Sequence, residues 1–214
     1  MLKLNPSQHQ KLHDIAEAIK TTDYGQAWPP EYSELFRLWG FFNSIYDTLY
    51  KDPKEWQRIS RFALDSRFNH IWNVLAQRPA AQELARQPCV GNGRNGYAPS
   101  QNIRIAFHTL RSNFGINLQD VCQSSKCQSR QQRNIPICLS QNWPAAPQAL
   151  ANPEDAKFAP FGATLLIIYQ IRSNLFHGSK REIHGPDYVR NQLLVQFSSQ
   201  ITRLLLEETR KLLP

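Results

Sequence analysis

Apolar side chains recur every three or four residues through most of the chain, the spacing that places them on one face of an α-helix. Ser7 and Asp52 are predicted N-caps, and Gly115 and Gly178 stand where a helix would end. The pattern predicts helices at Ser7–Lys20, Glu31–Tyr50, Pro53–Gln77, a short segment ending at Arg86, Asn102–Asn113, Phe161–Phe176 and Asp187–Leu213. The predicted fold class is all-α, an antiparallel bundle of four to five long helices.

The middle of the chain, at about 87–160, departs from this helical pattern. It is rich in Gln, Ser, Asn, Gly and Pro, a composition typical of loops. A short strand at Ile135–Leu139 is opposed by Pro136, which cannot donate to a sheet. The sequence therefore predicts a single helical domain over residues 1–214, decorated by a basic, loop-rich insertion at about 87–160 that carries the helix Asn102–Asn113.

The formal net charge of +8 is distributed unevenly. Residues 1–77 hold nine basic and nine acidic side chains, whereas residues 78–150 hold eight basic and two acidic ones. A basic zone of this kind favours binding of a polyanion such as RNA. A solvated basic surface without a polyanion partner would give the same distribution of charge. The longest clean apolar run, Ala163–Tyr169, is far shorter than the ~20 residues that cross a bilayer, and the polar N-terminus lacks an export signal. These features predict a cytoplasmic protein without membrane contact.

The four cysteines are compatible with two interpretations of their chemistry. In a reducing compartment Cys89, Cys122, Cys127 and Cys138 are free thiols or metal ligands rather than a disulfide framework. No paired Cys-x2-Cys element is present, and such pairs are typical of structural zinc sites. We therefore expect unconnected thiols and predict no metal or cofactor, with zinc as the alternative.

Candidate chemistry is concentrated at the end of the most apolar predicted helix, in Tyr169-Gln170-Ile171-Arg172-Ser173-Asn174-Leu175-Phe176-His177-Gly178. A spacing of five residues separates Arg172 from His177 by about 140° around a regular helix. The two side chains can meet only if the helix loosens near Gly178, or if both line a groove shared with a second subunit.

An imidazole can exchange a proton near neutral pH, and a guanidinium can grip a phosphate while it stays charged. Together they suit RNA cleavage in which the ribose 2′-hydroxyl is the internal nucleophile. The competing interpretation is helix capping and surface charge, with His177 complementing the helix dipole. On the catalytic interpretation Arg172 and His177 react, and the predicted substrate-binding residues are Ser173, Asn174, Lys180 and Arg181.

Ile171-Arg172-Ser173-Asn174-Leu175-Phe176-His177-Gly178 resembles the Arg-x4-His signature of the HEPN superfamily (higher eukaryotes and prokaryotes nucleotide-binding). A second match supports the resemblance: Trp39 precedes Phe42-Asn43-x-x-Tyr46, which is similar to the early helix of that superfamily. The two matches lie some 130 residues apart and in the expected order.

The resemblance implies a helical bundle that dimerises and a metal-independent endoribonuclease site built from Arg172 and His177 of both subunits. It implies His177 as the proton-transfer residue, Arg172 as the phosphate clamp, and membership of a toxin–antitoxin, antiviral defence or RNA-processing system. A cognate antitoxin or regulatory protein is then a candidate partner. Asn43, assumed to be buried, is assigned a supporting role with Tyr46 and Tyr169.

Two alternatives remain open. Active members often carry Asn or Asp directly after the arginine, where this chain has Ser173. A non-catalytic module that binds RNA, a nucleotide or a protein through the same groove is therefore the first alternative. The second is a plain scaffold bundle whose long C-terminal helix pairs with another protein.

Overall fold

The computed structural model describes residues 5–21, 30–87, 89, 101–117, 121, 144–176 and 188–213. Within these ranges the regular elements are helices and no strand occurs. The α-helices are α1 (Pro6–Thr21), α2 (Pro30–Leu49), α3 (Glu55–Leu64), α4 (Asn69–Leu75), α5 (Pro79–Arg86), α6 (Gln101–Asn113), α7 (Pro160–Phe176) and α8 (Tyr188–Arg210), and 3₁₀ helices span Ser66–Phe68 and Pro153–Phe158. The all-α fold class is confirmed. No helix in the described ranges is long and apolar enough to cross a membrane.

The ends of two helices test the capping predictions. At the start of α1 the Asn5 side chain accepts from the Gln8 amide (2.9 Å), and the Gln8 side chain accepts from the Asn5 amide (3.1 Å). This reciprocal pair is a capping box, so the prediction of Ser7 as the N-cap is wrong. Gly115 follows α6 with a φ of +63°, a backbone conformation that glycine adopts at little cost. Its predicted role as a helix stop is confirmed.

The helix predicted over Pro53–Gln77 is interrupted, and that prediction is wrong as a single element. Helix α3 begins at Glu55 rather than after an Asp52 cap, and it ends at Leu64. Asp65 then adopts an extended conformation and accepts a hydrogen bond from the Arg67 amide at 3.0 Å. The Tyr50 hydroxyl (2.7 Å) and the Arg67 guanidinium also donate to the Asp65 carboxylate. These bonds stabilise a break that apolar spacing alone does not reveal.

This break gives the unfolding free energy a pH dependence at its acid end. Burial by itself would raise the pKa of Asp65, but hydrogen bonds from Arg67 and Tyr50 outweigh it and hold the pKa below its usual value. The stabilisation is present above the unfolded pKa of about 3.9 and is lost as the pH falls through the lower folded pKa. We expect Asp65→Asn to cost stability near neutral pH and progressively less below about pH 4. Urea unfolding of both proteins across this range measures the difference, and parallel stability curves would contradict it.

Helix α7 lies at the centre of the core. It packs against α3, α6 and the 3₁₀ helix Pro153–Phe158, while α8 packs against α2 and α5. The aromatic face of α2 closes the core through edge-to-face contacts, with Phe42 at 5.0 Å from Phe62 and at 4.9 Å from Tyr46 between ring centroids. Each such pair contributes about 0.5–1.5 kcal/mol beyond the burial of its surface.

Two described parts of the stretch 87–160, helix α6 and the 3₁₀ helix Pro153–Phe158, pack into this core rather than decorating it. On α6, Ile103, Phe107 and Leu110 are buried against the rest of the protein. The 3₁₀ helix approaches α7 closely at Gly162, where a Cβ atom would fall 2.8 Å from the carbonyl carbon of Ala156. The strand proposed at Ile135–Leu139 and the stop proposed at Gly178 lie outside the described residues.

Candidate functional site

The described motif residues, 169–176, occupy the end of α7, where the helix emerges from the core. The helix is buried from Phe161 to Ile168, and Tyr169, Gln170, Arg172 and Ser173 are then partly exposed. The apolar first half of the helix anchors it among α3, α6 and the 3₁₀ helix. The polar end is thus presented to solvent by a rigid core element, which is the support that a precisely positioned site requires.

Arg172 is held by a carboxylate from another helix. Its Nη1 lies 3.2 Å from Oε2 of Glu55, in the first turn of α3. The Arg172 and Glu55 side chains are 22% and 23% exposed, respectively. Solvent therefore reaches both groups, while the ion pair limits the orientations open to the guanidinium.

Glu55 is in turn fixed by two fully buried aromatic residues of α2. The Tyr46 hydroxyl donates to Oε1 of Glu55 at 2.6 Å, and the Trp39 indole N–H donates to the same oxygen at 3.4 Å. Burial and the adjacent Glu55 raise the pKa of Tyr46, so this phenol stays protonated and remains a donor. The four side chains form an ordered network, defined here as the Arg172–Glu55 network: Arg172, Glu55, Tyr46 and Trp39.

Tyr169 lies beside this network. Its ring centroid is 6.4 Å from that of Trp39. Burial, followed by the charge of Glu55, raises the pKa of Tyr169. Ser173, one turn after Tyr169 on α7, is partly exposed, and its assignment to substrate binding stays a prediction.

Asn174 is 3% exposed, and its Oδ1 accepts a hydrogen bond of 2.7 Å from Nε2 of Gln170. A buried side chain in this position is better placed to orient the Gln170 amide than to contact a phosphate that arrives from solvent. Its assignment to substrate binding stays a prediction.

Asn43 is partly exposed, so the premise that it is buried is wrong. Within the part of the chain that the structure describes, its side chain forms no hydrogen bond. Tyr46, one turn later on the same helix, reaches Glu55 instead. The geometry of Tyr46 and Tyr169 fits the supporting role predicted for them, and the supporting role of Asn43 stays a prediction.

Glu55 is the site residue that the sequence analysis missed, and a signal for it was present. Glu55 stands four residues before Ile59 and seven before Phe62, and both of these are buried. Residues at this spacing share one helix face. A carboxylate at the head of a buried apolar stripe is stabilised by a hydrogen-bond donor or a cation. This pattern indicates that Glu55 pairs with a cationic or phenolic side chain from another helix.

The other predicted site residues, His177, Lys180 and Arg181, lie outside the described residues. The same holds for Cys122, Cys127 and Cys138, so zinc binding by the cysteines stays an open alternative. Cys89 is buried, and its sulfur lies 3.6 Å from Nη1 of Arg111. Among the described residues, no group of three or more His, Cys, Asp or Glu side chains could hold a metal ion.

Comparison of the chain with protein-family models, curated proteins and solved structures found no match. The chemistry assigned to the site therefore depends on its own residues.

Proposed function

We propose that this protein is a HEPN-like, metal-independent endoribonuclease that acts as a toxin or antiviral defence effector. The observation that carries the proposal is the Arg172–Glu55 network, which holds the arginine of the Arg-x4-His motif in a fixed and partly exposed position. An arginine ordered before substrate arrives loses less freedom when it binds a phosphate.

The proposed reaction is an internal transesterification. His177 removes the proton from the ribose 2′-hydroxyl, whose oxygen then forms a bond with the adjacent phosphorus. The bond between phosphorus and the 5′-oxygen breaks, and an imidazolium returns a proton to that leaving oxygen. The products are a 2′,3′-cyclic phosphate and a 5′-hydroxyl. Arg172 stabilises the charge on the phosphoryl oxygens through its fork of N–H donors.

A second copy of the chain supplies the missing geometry. In a regular helix Arg172 and His177 differ by about 140°, so one motif would direct both groups at the same phosphate only if the helix loosened near Gly178. Two motifs facing each other across a two-fold axis place an arginine of one subunit opposite a histidine of the other. The pair of histidines then provides the base and the acid. We therefore propose a homodimer.

The decisive experiment compares the purified protein with its His177→Ala variant on single-stranded RNA. We expect cleavage by the wild type that persists in EDTA and leaves 2′,3′-cyclic phosphate ends. The variant should lose at least about 100-fold in rate, because general acid–base catalysis contributes 10²–10⁴-fold. His70→Ala is the matched control, since His70 is exposed on α4. Unchanged turnover by His177→Ala, or activity that requires a divalent metal, would refute the proposal.

RNA binding without cleavage is the second candidate, and one observation favours it. Glu55 already neutralises Arg172 within the chain, and a carboxylate beside a phosphate clamp weakens the attraction for an incoming phosphate. On this interpretation the protein binds RNA with the same residues and leaves it intact. The same assay separates the two candidates, because tight binding with no product would support this one.

A further inference from the structure

A cleft of about 140 Å³ is lined in part by Tyr169, whose ring lies 6.4 Å from that of Trp39 in the Arg172–Glu55 network. Four elements enclose it: α3 contributes Trp56, α6 contributes Asn102, the 3₁₀ helix contributes Lys157, and α7 contributes Tyr169 and Gln170. Trp56 directly follows Glu55, and Tyr169 lies one helical turn before Arg172. A ligand in this cleft would therefore lie next to the arginine that is proposed to hold the phosphate.

The lining combines aromatic surfaces with amide groups. Trp56 and Tyr169 are partly exposed at the cleft, and both pack against the core, which limits their motion. Rigid aromatic rings of this kind are the surfaces on which proteins stack unpaired nucleobases. A lining made only of aliphatic side chains would offer no such preference for a flat heterocycle.

The two amides have hydrogen-bonding capacity that is set by their neighbours. Nε2 of Gln170 donates to Asn174, and within the described residues its Oε1 accepts no hydrogen bond. Oδ1 of Asn102 accepts from Nζ of Lys157 at 3.0 Å, which leaves the Asn102 amide nitrogen as a donor. The cleft thus offers an acceptor from Gln170 and a donor from Asn102.

We infer that this cleft binds a nucleobase that carries an exocyclic amino group. Adenine and cytosine present that amino donor beside a ring-nitrogen acceptor, which complements the Gln170 acceptor and the Asn102 donor. Uracil presents a carbonyl oxygen at the equivalent position and would face the Gln170 oxygen with another acceptor. The inference rests on the proposed function in one respect: the base belongs to the nucleotide whose phosphate Arg172 would contact.

The first test is an NMR titration of the full chain with AMP, CMP and UMP. The indole N–H of Trp56 and the side-chain amides of Gln170 and Asn102 report directly on the cleft. We expect saturable shifts of these signals, with CMP binding at least about tenfold more tightly than UMP, because the two differ in the group that meets Gln170. Equal affinities for CMP and UMP, or no saturable shift at the three groups, would overturn the inference.

Gln170→Met then tests the hydrogen bond while it retains a side chain of similar length. The variant should bind CMP about tenfold more weakly and lose the preference over UMP. Gln196→Met is the matched control on the exposed face of α8, and it should leave the CMP affinity unchanged. An unchanged CMP affinity in Gln170→Met would also overturn the inference.

Cleavage assays separate this inference from the proposed function. If CMP binds in the cleft but the protein cuts no RNA, the base site stands and the ribonuclease proposal fails. If the protein cuts RNA but Gln170→Met leaves the base preference at the cut junctions unchanged, the ribonuclease proposal stands and the base site fails. Sequencing of the cut ends from a mixed RNA pool measures that preference.

Discussion

Arg172→Lys should lower the rate of RNA cleavage by about 10²–10³-fold, the usual cost of losing one donor that stabilises developing charge. The variant keeps a positive charge opposite Glu55, so a lysine–carboxylate ion pair replaces the arginine–carboxylate pair that orders the site. It loses the planar fork that binds two phosphoryl oxygens at once. We therefore expect a large loss of activity with little change in the free energy of unfolding.

The control is Arg203→Lys. Arg203 on α8 forms an exposed ion pair with Glu34 on α2, so the same substitution is made in an inter-helix pair outside the site. It should leave both cleavage and unfolding almost unchanged, since exposed ion pairs contribute little. Single-turnover cleavage and urea unfolding measured on the same preparations give both quantities. A cleavage rate within about threefold of wild type for Arg172→Lys would argue against a phosphate clamp at this position, because a lost clamp costs far more.

Glu55→Gln extends the test to the carboxylate that positions Arg172. The amide of the substituted side chain would retain a hydrogen-bond acceptor for the Tyr46 hydroxyl but lose the charge that attracts the guanidinium. If Glu55 acts through Arg172, the double variant Glu55→Gln/Arg172→Lys should lose no more activity than Arg172→Lys alone. Strictly additive losses would show that Glu55 acts independently of the arginine.

The helices were largely predictable because apolar spacing and strong end signals agree. Helices α6 and α7 begin within one residue of the sequence prediction, and α6 ends where it was placed. The break at Asp65 was not predictable in this way, because it depends on the Tyr50 hydroxyl, which comes from the end of a different helix. Spacing within one segment carries no information about such a partner.

Only those parts of the candidate site that lie within a single short segment of the chain were predictable. Arg172 and Tyr46 lie in short motifs that can be read directly from the chain. The ion pair between Arg172 and Glu55 joins residues 117 positions apart, and the cleft beside it is assembled from four separate elements. Asn43 was misplaced for a simpler reason: it follows the buried Phe42 by about 100° of rotation, and its side chain consequently lies nearer the edge of the buried face.

Arg111→Met should destabilise the fold by about 3 kcal/mol, because it leaves backbone carbonyls without a hydrogen-bond donor. Arg111 is only 2% exposed. Its Nε donates to the Ala85 carbonyl at 2.9 Å and its Nη2 to the Gln87 carbonyl at 2.7 Å, so that the guanidinium caps the C-terminal end of α5. The remaining Nη1 contacts the Cys89 sulfur at 3.6 Å. A cation near the last carbonyls of a helix also interacts favourably with the helix dipole.

Arg111→Met also removes a charge that is buried away from water, and this change by itself would raise the free energy of unfolding. A buried ion replaced by an apolar group can be neutral for stability when its partners are replaced as well. Here the Ala85 and Gln87 carbonyls are backbone and stay in place, so the penalty for unpaired acceptors prevails. At this chain length about 3 kcal/mol corresponds to a fall in Tm of roughly 6–12 °C.

Arg86→Met is the matched control, because Arg86, on α5, is exposed and pairs with Glu83 at the surface. Its effect on the free energy of unfolding should stay within about 0.5 kcal/mol. Equal unfolding midpoints for the two variants in urea would show that Arg111 does not hold the end of α5.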